Sequence, residues 1–254
     1  MKVAISGIGG HMGQEVFKLA SAGYRGAELI GGIDAFADPA AFSVPVTKDF
    51  DEFGKLPAGA ECEVIVDFSH HSITGQLTDF AVRNGKILVI ATTGQTEEEI
   101  QMIRDAARKI PVFHAANYSL GIALLIELAK KAAAAMPDAE IEIIEKHHDR
   151  KIDAPSGTAL AIADAIRTVR PEAEYHLGRS GMAKRTANEI GIHAVRMGNI
   201  VGDHEVMIGT QNQTITLKHE AHSRALFAEG ALAACEFMIG KPAGLYSMKD
   251  LVGA

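Results

Sequence analysis

The chain has 254 residues, 47% of them hydrophobic, enough for one large domain or two small ones around a sizeable core, which excludes a disordered or fibrous protein. Twenty-five Lys and Arg against 32 Asp and Glu give a formal net charge of −7, an acidic balance that argues against a nucleic-acid-binding surface. Cys62 and Cys235 stand far apart in apolar company, so neither a disulfide framework nor a Cys-rich metal site is expected, and buried thiols in a reducing compartment fit best.

Met1-Lys2 runs straight into Val3-Ala4-Ile5 without a long apolar stretch ending in a small-residue cleavage site, so no signal peptide is expected. Short β-branched runs follow at Lys2 to Ser6, Glu28 to Ile33, Glu63 to Phe68, Ile87 to Ala91 and Pro111 to His114. Between several of them lie helical patterns at Gln14 to Ala22, Ile73 to Asn84 and Thr96 to Lys109. This alternation predicts βαβ units on a parallel sheet, whose strands are apolar throughout because both faces are covered. Thr96-Glu97-Glu98-Glu99 is a good helix opening, with a Thr cap, a Glu three residues later and acidic residues in the first turn.

After residue 117 the pattern changes. Ser119 to Met136 reads as one long Ala-rich helix, Ala139 to His147 as a strand, and a second helix starts at Ser156. Glu189 to Met197, Glu205 to Gly209 and Gln213 to His219 follow, and Thr214-Ile215-Thr216-Leu217-Lys218-His219 alternates as an antiparallel strand with one wetted face does. The expected fold class is therefore α/β: an N-terminal Rossmann dinucleotide-binding domain and a second, α+β domain on a mixed or antiparallel sheet. The last helical pattern, Arg224 to Ile239, suits either domain. The apolar stretches Ile122 to Ala129 and Ala225 to Ile239 are broken by Glu127, Glu229 and Glu236, well short of the roughly 20 residues a membrane span needs, and a cytoplasmic protein is expected.

Val3 to Gly13 is a strand, a tight glycine turn and a helix start. Gly7, Gly10 and Gly13 give GxxGxxG, a variant of the usual dinucleotide fingerprint, with Gly9 adding the early GxG pair. The chemistry needs positive φ at the turn, no Cβ between backbone and pyrophosphate, and N–H groups of a helix N-terminus aimed at the anion. Asp34, 21 residues past Gly13 at the end of the second strand, is placed to accept hydrogen bonds from an adenosine ribose. An acid there repels a 2′-phosphate, and Ala35-Phe36 offers no Arg to counter it, so NADH is the expected cofactor, with NADPH as the second choice. A plain turn with a strand-end cap is the alternative. Ala91-Thr92-Thr93-Gly94 and Ala115-Ala116-Asn117-Tyr118 each follow a predicted strand, at the carboxyl edge where α/β sheets bind ligands, and their small residues would let a nicotinamide lie close.

The densest chemistry lies in Glu142 to Thr158, where a strand ends in His147-His148 and Pro155-Ser156-Gly157-Thr158 opens a helix. Ser156 is an N-cap candidate, and the N–H groups of Gly157 and Thr158 would form a carboxylate-binding nest. His147, His148 and Lys151 would surround the same point with positive charge and movable protons, a combination suited to a dianionic substrate and proton transfer. In the competing reading the histidines are solvated, Lys151 pairs with Asp149 or Asp153, and Ser-Gly-Thr is a plain cap. His219-Glu220-Ala221-His222 is one residue short of a zincin motif and follows a strand pattern, so no metal site is expected. Gly178 to Met182 and Arg196 to His204 read as glycine-punctuated turns with one exposed Arg each.

Together these residues resemble the dihydrodipicolinate (4-hydroxy-tetrahydrodipicolinate) reductase family, nearly end to end. The resemblance rests on Gly7 to Gly13, Asp67-Phe68-Ser69, Ala91 to Gly94, Ala115 to Ser119, Glu145 to Thr158, Arg196 to His204, Ser223-Arg224 and Gly244 to Leu251. It implies NAD(P)H-dependent reduction of 4-hydroxy-tetrahydrodipicolinate to tetrahydrodipicolinate in lysine and diaminopimelate biosynthesis, with hydride going to the ring as the hydroxyl is lost. It further implies His147 as proton donor or acceptor, Lys151 as proton donor, and His148, Ser156, Gly157 and Thr158 as the holders of the substrate carboxylates. The cofactor would lie on Gly7, Ile8, Gly9, Gly10, His11, Met12, Asp34, Ala91, Thr92, Thr93, Ala115, Ala116, Asn117 and Tyr118. The implied dinucleotide-binding domain is 1–117, completed by 224–254, and 118–223 is the substrate-binding and oligomerisation domain of a homotetramer. Two departures stand out: Ala35 follows the ribose-binding acid where some members carry a basic residue, and Ala91 replaces a frequent Gly. The competing functions are an NAD-dependent amino-acid or imino-acid dehydrogenase and a non-catalytic NAD-sensing protein, although a sensor would be expected to lose His147 or Lys151.

Overall fold

The computed structural model describes residues 1–253, which divide into two units, one formed by Met1–Ser119 with the segment from Arg224 onward, the other by Leu120–Ser223. In the first unit the chain runs β1 (Lys2–Ser6), α1 (His11–Ser21), β2 (Glu28–Ile33), β3 (Val46–Thr47), α2 (Phe50–Lys55), α3 (Pro57–Glu61), β4 (Val64–Asp67), α4 (Thr74–Asn84), β5 (Ile87–Ile90), α5 (Glu97–Ala107) and β6 (Pro111–His114). The second unit holds α6 (Leu120–Ala135), β7 (Glu140–His147), α7 (Gly157–Arg167), β8 (Glu174–Leu177), β9 (Glu189–Arg196), β10 (Gly202–Thr210) and β11 (Gln213–Ala221). The chain then returns to the first unit with α8 (Ala225–Met238), β12 (Gly244–Tyr246) and α9 (Met248–Leu251).

The first sheet has the order β12-β6-β5-β4-β1-β2-β3, and its neighbouring strands are all parallel. The order reverses between β1 and β4, and at such a switch point the loops leave a crevice outside the carboxyl ends of the strands. Successive strand residues point to opposite faces, so the continuously apolar strands are buried on both. Ala4, Ile65, Leu88 and Val112 pack with Phe50, Phe53, Leu77, Phe80 and Ile103, whereas α8 packs on α1 and on β4, β5 and β6. Cys62 and Cys235 are buried in this unit, and burial pushes the Cys62 thiol up to about 11. Thr96 caps α5 in a complete capping box with Glu99.

In the second unit the sheet order is β11-β10-β7-β9-β8. β10 is antiparallel to β7 and β11, but β7 and β9 are parallel, as are β8 and β9, so the sheet is mixed. The one-sided alternation expected from the sequence holds in β7 and β10, whereas β9 buries Ile190, Gly191 and Ile192 in succession. Alternation could not give direction, because the connection through α7 returns the chain parallel to β7, as long helical crossovers do. One face packs Ile141, Ile143, Ile192, Val206 and Ile208 against Ile122, Leu125 and Ala129 of α6 and Ile162 and Ile166 of α7. β3, α2, α3, β8 and β12 have no counterpart in the sequence reading, since two to six residues are too few to show a period.

Candidate active site

The glycine loop between β1 and α1 stands at the switch point of the first sheet. Gly7 adopts φ +78°, and a Cβ there would lie 2.5 Å from the Phe68 carbonyl oxygen. A Cβ on Gly13 would lie 2.0 Å from the Gly7 carbonyl oxygen, so α1 approaches the loop closely only as glycine. Gly10 is the N-cap of α1 and supplies no side-chain hydrogen bond, so the first turn of the helix has no capping side chain to compete with an anion. Ile8 contributes backbone only, since its side chain is fully buried beside Gly32, while Gly9, Gly10 and His11 are exposed.

Asp34 follows β2. Its Oδ2 accepts the Gly9 N–H at 2.9 Å and its Oδ1 accepts the Phe36 N–H at 2.9 Å and the Ala37 N–H at 3.2 Å, so one carboxylate joins the glycine loop to the turn after β2. Asp34 lines a cleft of about 270 Å³ with Gly7, Gly10, Phe36, Lys48, Phe68 and His70. Phe36 is almost wholly exposed at 99%. Lys48 was not found from the sequence: it lies beyond a loop with no periodic signal, yet it brings a cation to the cleft that Ala35 does not supply. A loop closed so tightly that Gly7 and Gly13 admit no Cβ, a helix start without a capping side chain, and an acid at the end of β2 together fit a dinucleotide.

The loops after β5 and β6 leave from the same edge. Ala91, Ala115 and Asn117 are half-buried, and Thr93 and Ala116 are exposed. Thr92 is buried: its hydroxyl donates to Asp67 Oδ2 at 2.6 Å and accepts the Ser69 N–H at 2.9 Å, so that side chain is committed within the fold. Tyr118 is likewise buried, with its hydroxyl donating to the Ile90 carbonyl at 2.8 Å and its ring near Phe68 and Phe113. Of the residues expected around a cofactor, these two offer backbone or shape rather than a side-chain contact.

The second cluster is built on the end of β7. Glu145 is fully buried and holds four donors on one carboxylate. Its Oε2 accepts from His147 Nδ1 at 2.6 Å and Arg196 Nη1 at 2.8 Å, and its Oε1 from Arg196 Nη2 at 2.7 Å and the Ser156 N–H at 3.0 Å. Burial alone would raise this carboxyl, but Arg196, His147 and the Ser156 amide together hold it below the usual carboxylate range. Ser156 is the N-cap of α7, its Oγ accepting the Ala159 N–H at 3.2 Å and lying 3.1 Å from His204 Nε2. The His204 ring stands 5.2 Å from that of His147, and burial, with help from the charge of His147, pushes His204 down to about 4. A Cβ on Gly202 would lie 3.0 Å from His147 Nε2, so this glycine makes room for the ring.

Gly157 is exposed and Thr158 half-buried in the first turn of α7, and His148 is half-buried just past β7. Lys151 Nζ pairs with Asp153 Oδ1 at 2.9 Å, while Asp149 pairs with Arg150 at 3.0 Å, so part of the structural alternative for Lys151 holds in this conformation. Two expectations are corrected. Arg196 is not an exposed cation in a turn: it ends β9 and lies across Glu145, because parallel pairing sets His147 opposite it. Gly202 to His204 is likewise not a turn but the start of β10, and His204 is buried there. Arg179, the other cation read as exposed, pairs with Glu189. Glu145, Arg196 and His204 were missed as site residues because the bonds that join Arg196 to Glu145 and His204 to Ser156 span 51 and 48 residues of chain.

Family models described as dihydrodipicolinate reductase, N-terminus and C-terminus, match residues 1–118 and 121–252. The 4-hydroxy-tetrahydrodipicolinate reductase of Caldanaerobacter subterraneus subsp. tengcongensis is 46% identical over 99% of this chain and 98% of that relative. That of Clostridium tetani is 41% identical over 100% and 98%. Among solved structures, a dipicolinate-bound dihydrodipicolinate reductase from Paenisporosarcina sp. TG-14 superposes with a TM-score of 0.82 at 28% identity, covering 98% of each chain.

Proposed function

The chain belongs to the dihydrodipicolinate reductase family, and from that premise we propose that it reduces 4-hydroxy-tetrahydrodipicolinate to tetrahydrodipicolinate in lysine and diaminopimelate biosynthesis. It is an NAD(P)H-dependent oxidoreductase acting on a small dicarboxylate. The observation that carries the reading is the joining, through Glu145, of a histidine at the end of β7 to the N-terminus of α7, which puts a proton carrier beside an anion site.

The dinucleotide, when bound, supplies a hydride to the substrate ring. Gly7, Ile8, Gly9, Gly10, His11 and Met12 would hold its pyrophosphate by backbone groups, and Asp34 its ribose. The edges Ala91 to Thr93 and Ala115 to Tyr118 would flank the nicotinamide. The substrate hydroxyl leaves as water and the net reaction consumes one proton, which Lys151 donates, with His147 as proton donor or acceptor. To act, the Lys151 ammonium exchanges Asp153 for the substrate, a small cost for a partly exposed pair. The N–H groups of Gly157 and Thr158, in the first turn of α7 just past the Ser156 cap, receive a carboxylate with His148, since partial positive charge gathers there, and Ser156 holds that turn in place.

NADH is the preferred cofactor in this reading, because Asp34 faces the ribose. Lys48 in the same cleft supplies a cation that permits NADPH. The protein acts in the cytoplasm, and no described helix is long and apolar enough to cross a membrane. It assembles as a homotetramer through the second unit. The sheet face opposite α6 and α7 carries Ile144 level with His193 on β9, and Met207 on β10, where a partner sheet would cover them.

Steady-state oxidation of NADH and of NADPH, with the substrate made in place by its upstream synthase, tests this function. Rapid turnover supports it. Binding of NADH without turnover would favour a different imino-acid substrate or a sensor.

A further inference from the structure

Among the residues gathered at the end of β7, Glu145 accepts four hydrogen bonds and has no role in the reaction as described. It is fully buried, and its two oxygens are divided: Oε2 takes His147 Nδ1 at 2.6 Å, Oε1 takes the Ser156 N–H at 3.0 Å, and Arg196 bridges both at 2.8 and 2.7 Å. We propose that Glu145 is the positioning residue of the proton-transfer site, fixing His147 as the Nδ1–H form with Nε2 as the reactive nitrogen and locking it in register with the N-terminus of α7.

Three features of the geometry argue for this over a merely structural ion pair. An ionised carboxylate only accepts, so whatever nitrogen faces it must carry the proton, and here that nitrogen is Nδ1. The Arg196 fork makes that ionised form favourable without using the oxygen lone pairs that His147 and Ser156 need. The third feature is Gly202, where a Cβ would lie 3.0 Å from Nε2, so the wall beside the reactive nitrogen is bare backbone. Arg196 Nη2 also donates to the Asp153 carbonyl at 2.5 Å, so the loop carrying Lys151 is tied to the same carboxylate through one guanidinium. A single buried charge therefore sets the relative positions of His147, the first turn of α7 and the Lys151 loop, all within the second unit.

Glu145→Gln replaces one acceptor oxygen by a donor. The amide must then face His147 Nδ1, Arg196 or the Ser156 N–H with an N–H of its own, and facing His147 it moves the ring proton to Nε2. This inference rests on His147 being a proton carrier, so the test has one readout that depends on turnover and one that does not. The first is long-range 1H–15N NMR of the full-length protein at alkaline pH, where imidazoles are neutral, with the His147 signal assigned by its loss in His147→Gln. In the wild type Nδ1 should carry the proton, the less populated tautomer of a free histidine side chain. A wild-type His147 protonated at Nε2 with bare Nδ1 would overturn the proposal, whatever the Glu145 variants do.

The second readout is kinetic. Glu145→Gln should lower kcat by about 10²-fold, the scale of lost general acid–base catalysis, while the Kd for NADH in the binary complex stays within twofold. Glu145→Asp, which keeps the acceptors, should recover a large part of that kcat. A Glu145→Gln enzyme that folds and turns over at the wild-type rate overturns the positioning role, as does a kcat loss equal in Gln and Asp variants. Failure of the wild type to reduce the dicarboxylate would remove the functional reading above but leave the tautomer result standing.

Discussion

The Thr92 hydroxyl donates to the buried Asp67 carboxylate at 2.6 Å, joining the loops that leave the neighbouring parallel strands β4 and β5. Ser69 closes the arrangement, its hydroxyl donating to the other Asp67 oxygen at 2.5 Å and its N–H to Thr92 Oγ1 at 2.9 Å. Burial raises the Asp67 carboxyl, and these hydroxyl donors act against that rise. Gly7 packs against the Phe68 carbonyl within the same turn, so the triad also supports the wall of the glycine loop.

Thr92→Val keeps the shape of the side chain but leaves Asp67 one donor short and the Ser69 N–H without its acceptor. Urea unfolding should show a loss of about 1–3 kcal/mol, the usual cost of a buried polar group left unpaired. A loss below a few tenths would mean that water replaces the hydroxyl.

Asp34→Ala should raise the KM for NADH about tenfold and that for NADPH much less, because the carboxylate gains a ribose hydroxyl in one case and meets a phosphate in the other. Some loss is common to both, since Asp34 also holds the Gly9, Phe36 and Ala37 amides. The ratio of the two effects is therefore the quantity to measure, and a ratio of one would rule out the ribose contact.

Lys151→Ala should lower kcat by about 10² to 10⁴ while NADH binding, followed by fluorescence, is unchanged. Its salt bridge to Asp153 is partly exposed, so stability should move by less than about 1 kcal/mol. Unimpaired turnover would remove Lys151 from the mechanism.

His204 is pushed from 6.5 down to about 4, chiefly by burial, so it stays neutral in the folded protein where the unfolded chain takes up a proton. Its contribution is complete above the unfolded value, falls as pH drops from about 6.5 to 4, and is constant below. The loss by the end of that window is on the order of 3 kcal/mol. His204→Gln should remove this part of the pH dependence, visible as a narrowing gap between variant and wild type in denaturant midpoints from pH 7 to pH 4. Parallel curves would assign the acid sensitivity to other groups.

What the sequence determined was local. The spacing of Gly7, Gly10 and Gly13 after an apolar run, Asp34 closing the second run, the Thr96 capping box and Ser156 ahead of an Ala-rich helix all depend on residues within a turn or two of each other. Local sterics and capping act at that range, so the Rossmann half and the opening of α7 could be read without coordinates. Only the tertiary structure decided which long-range pairs form: Arg196 on Glu145, 51 residues away, His204 on Ser156, 48 away, and Thr92 on Asp67, 25 away. It also turned Tyr118 into the core, brought Lys48 into the cleft beside Asp34 and ran β9 parallel to β7. Strand register and crossover direction make those choices, and they follow from how the buried faces fit together, which no periodicity along the chain encodes.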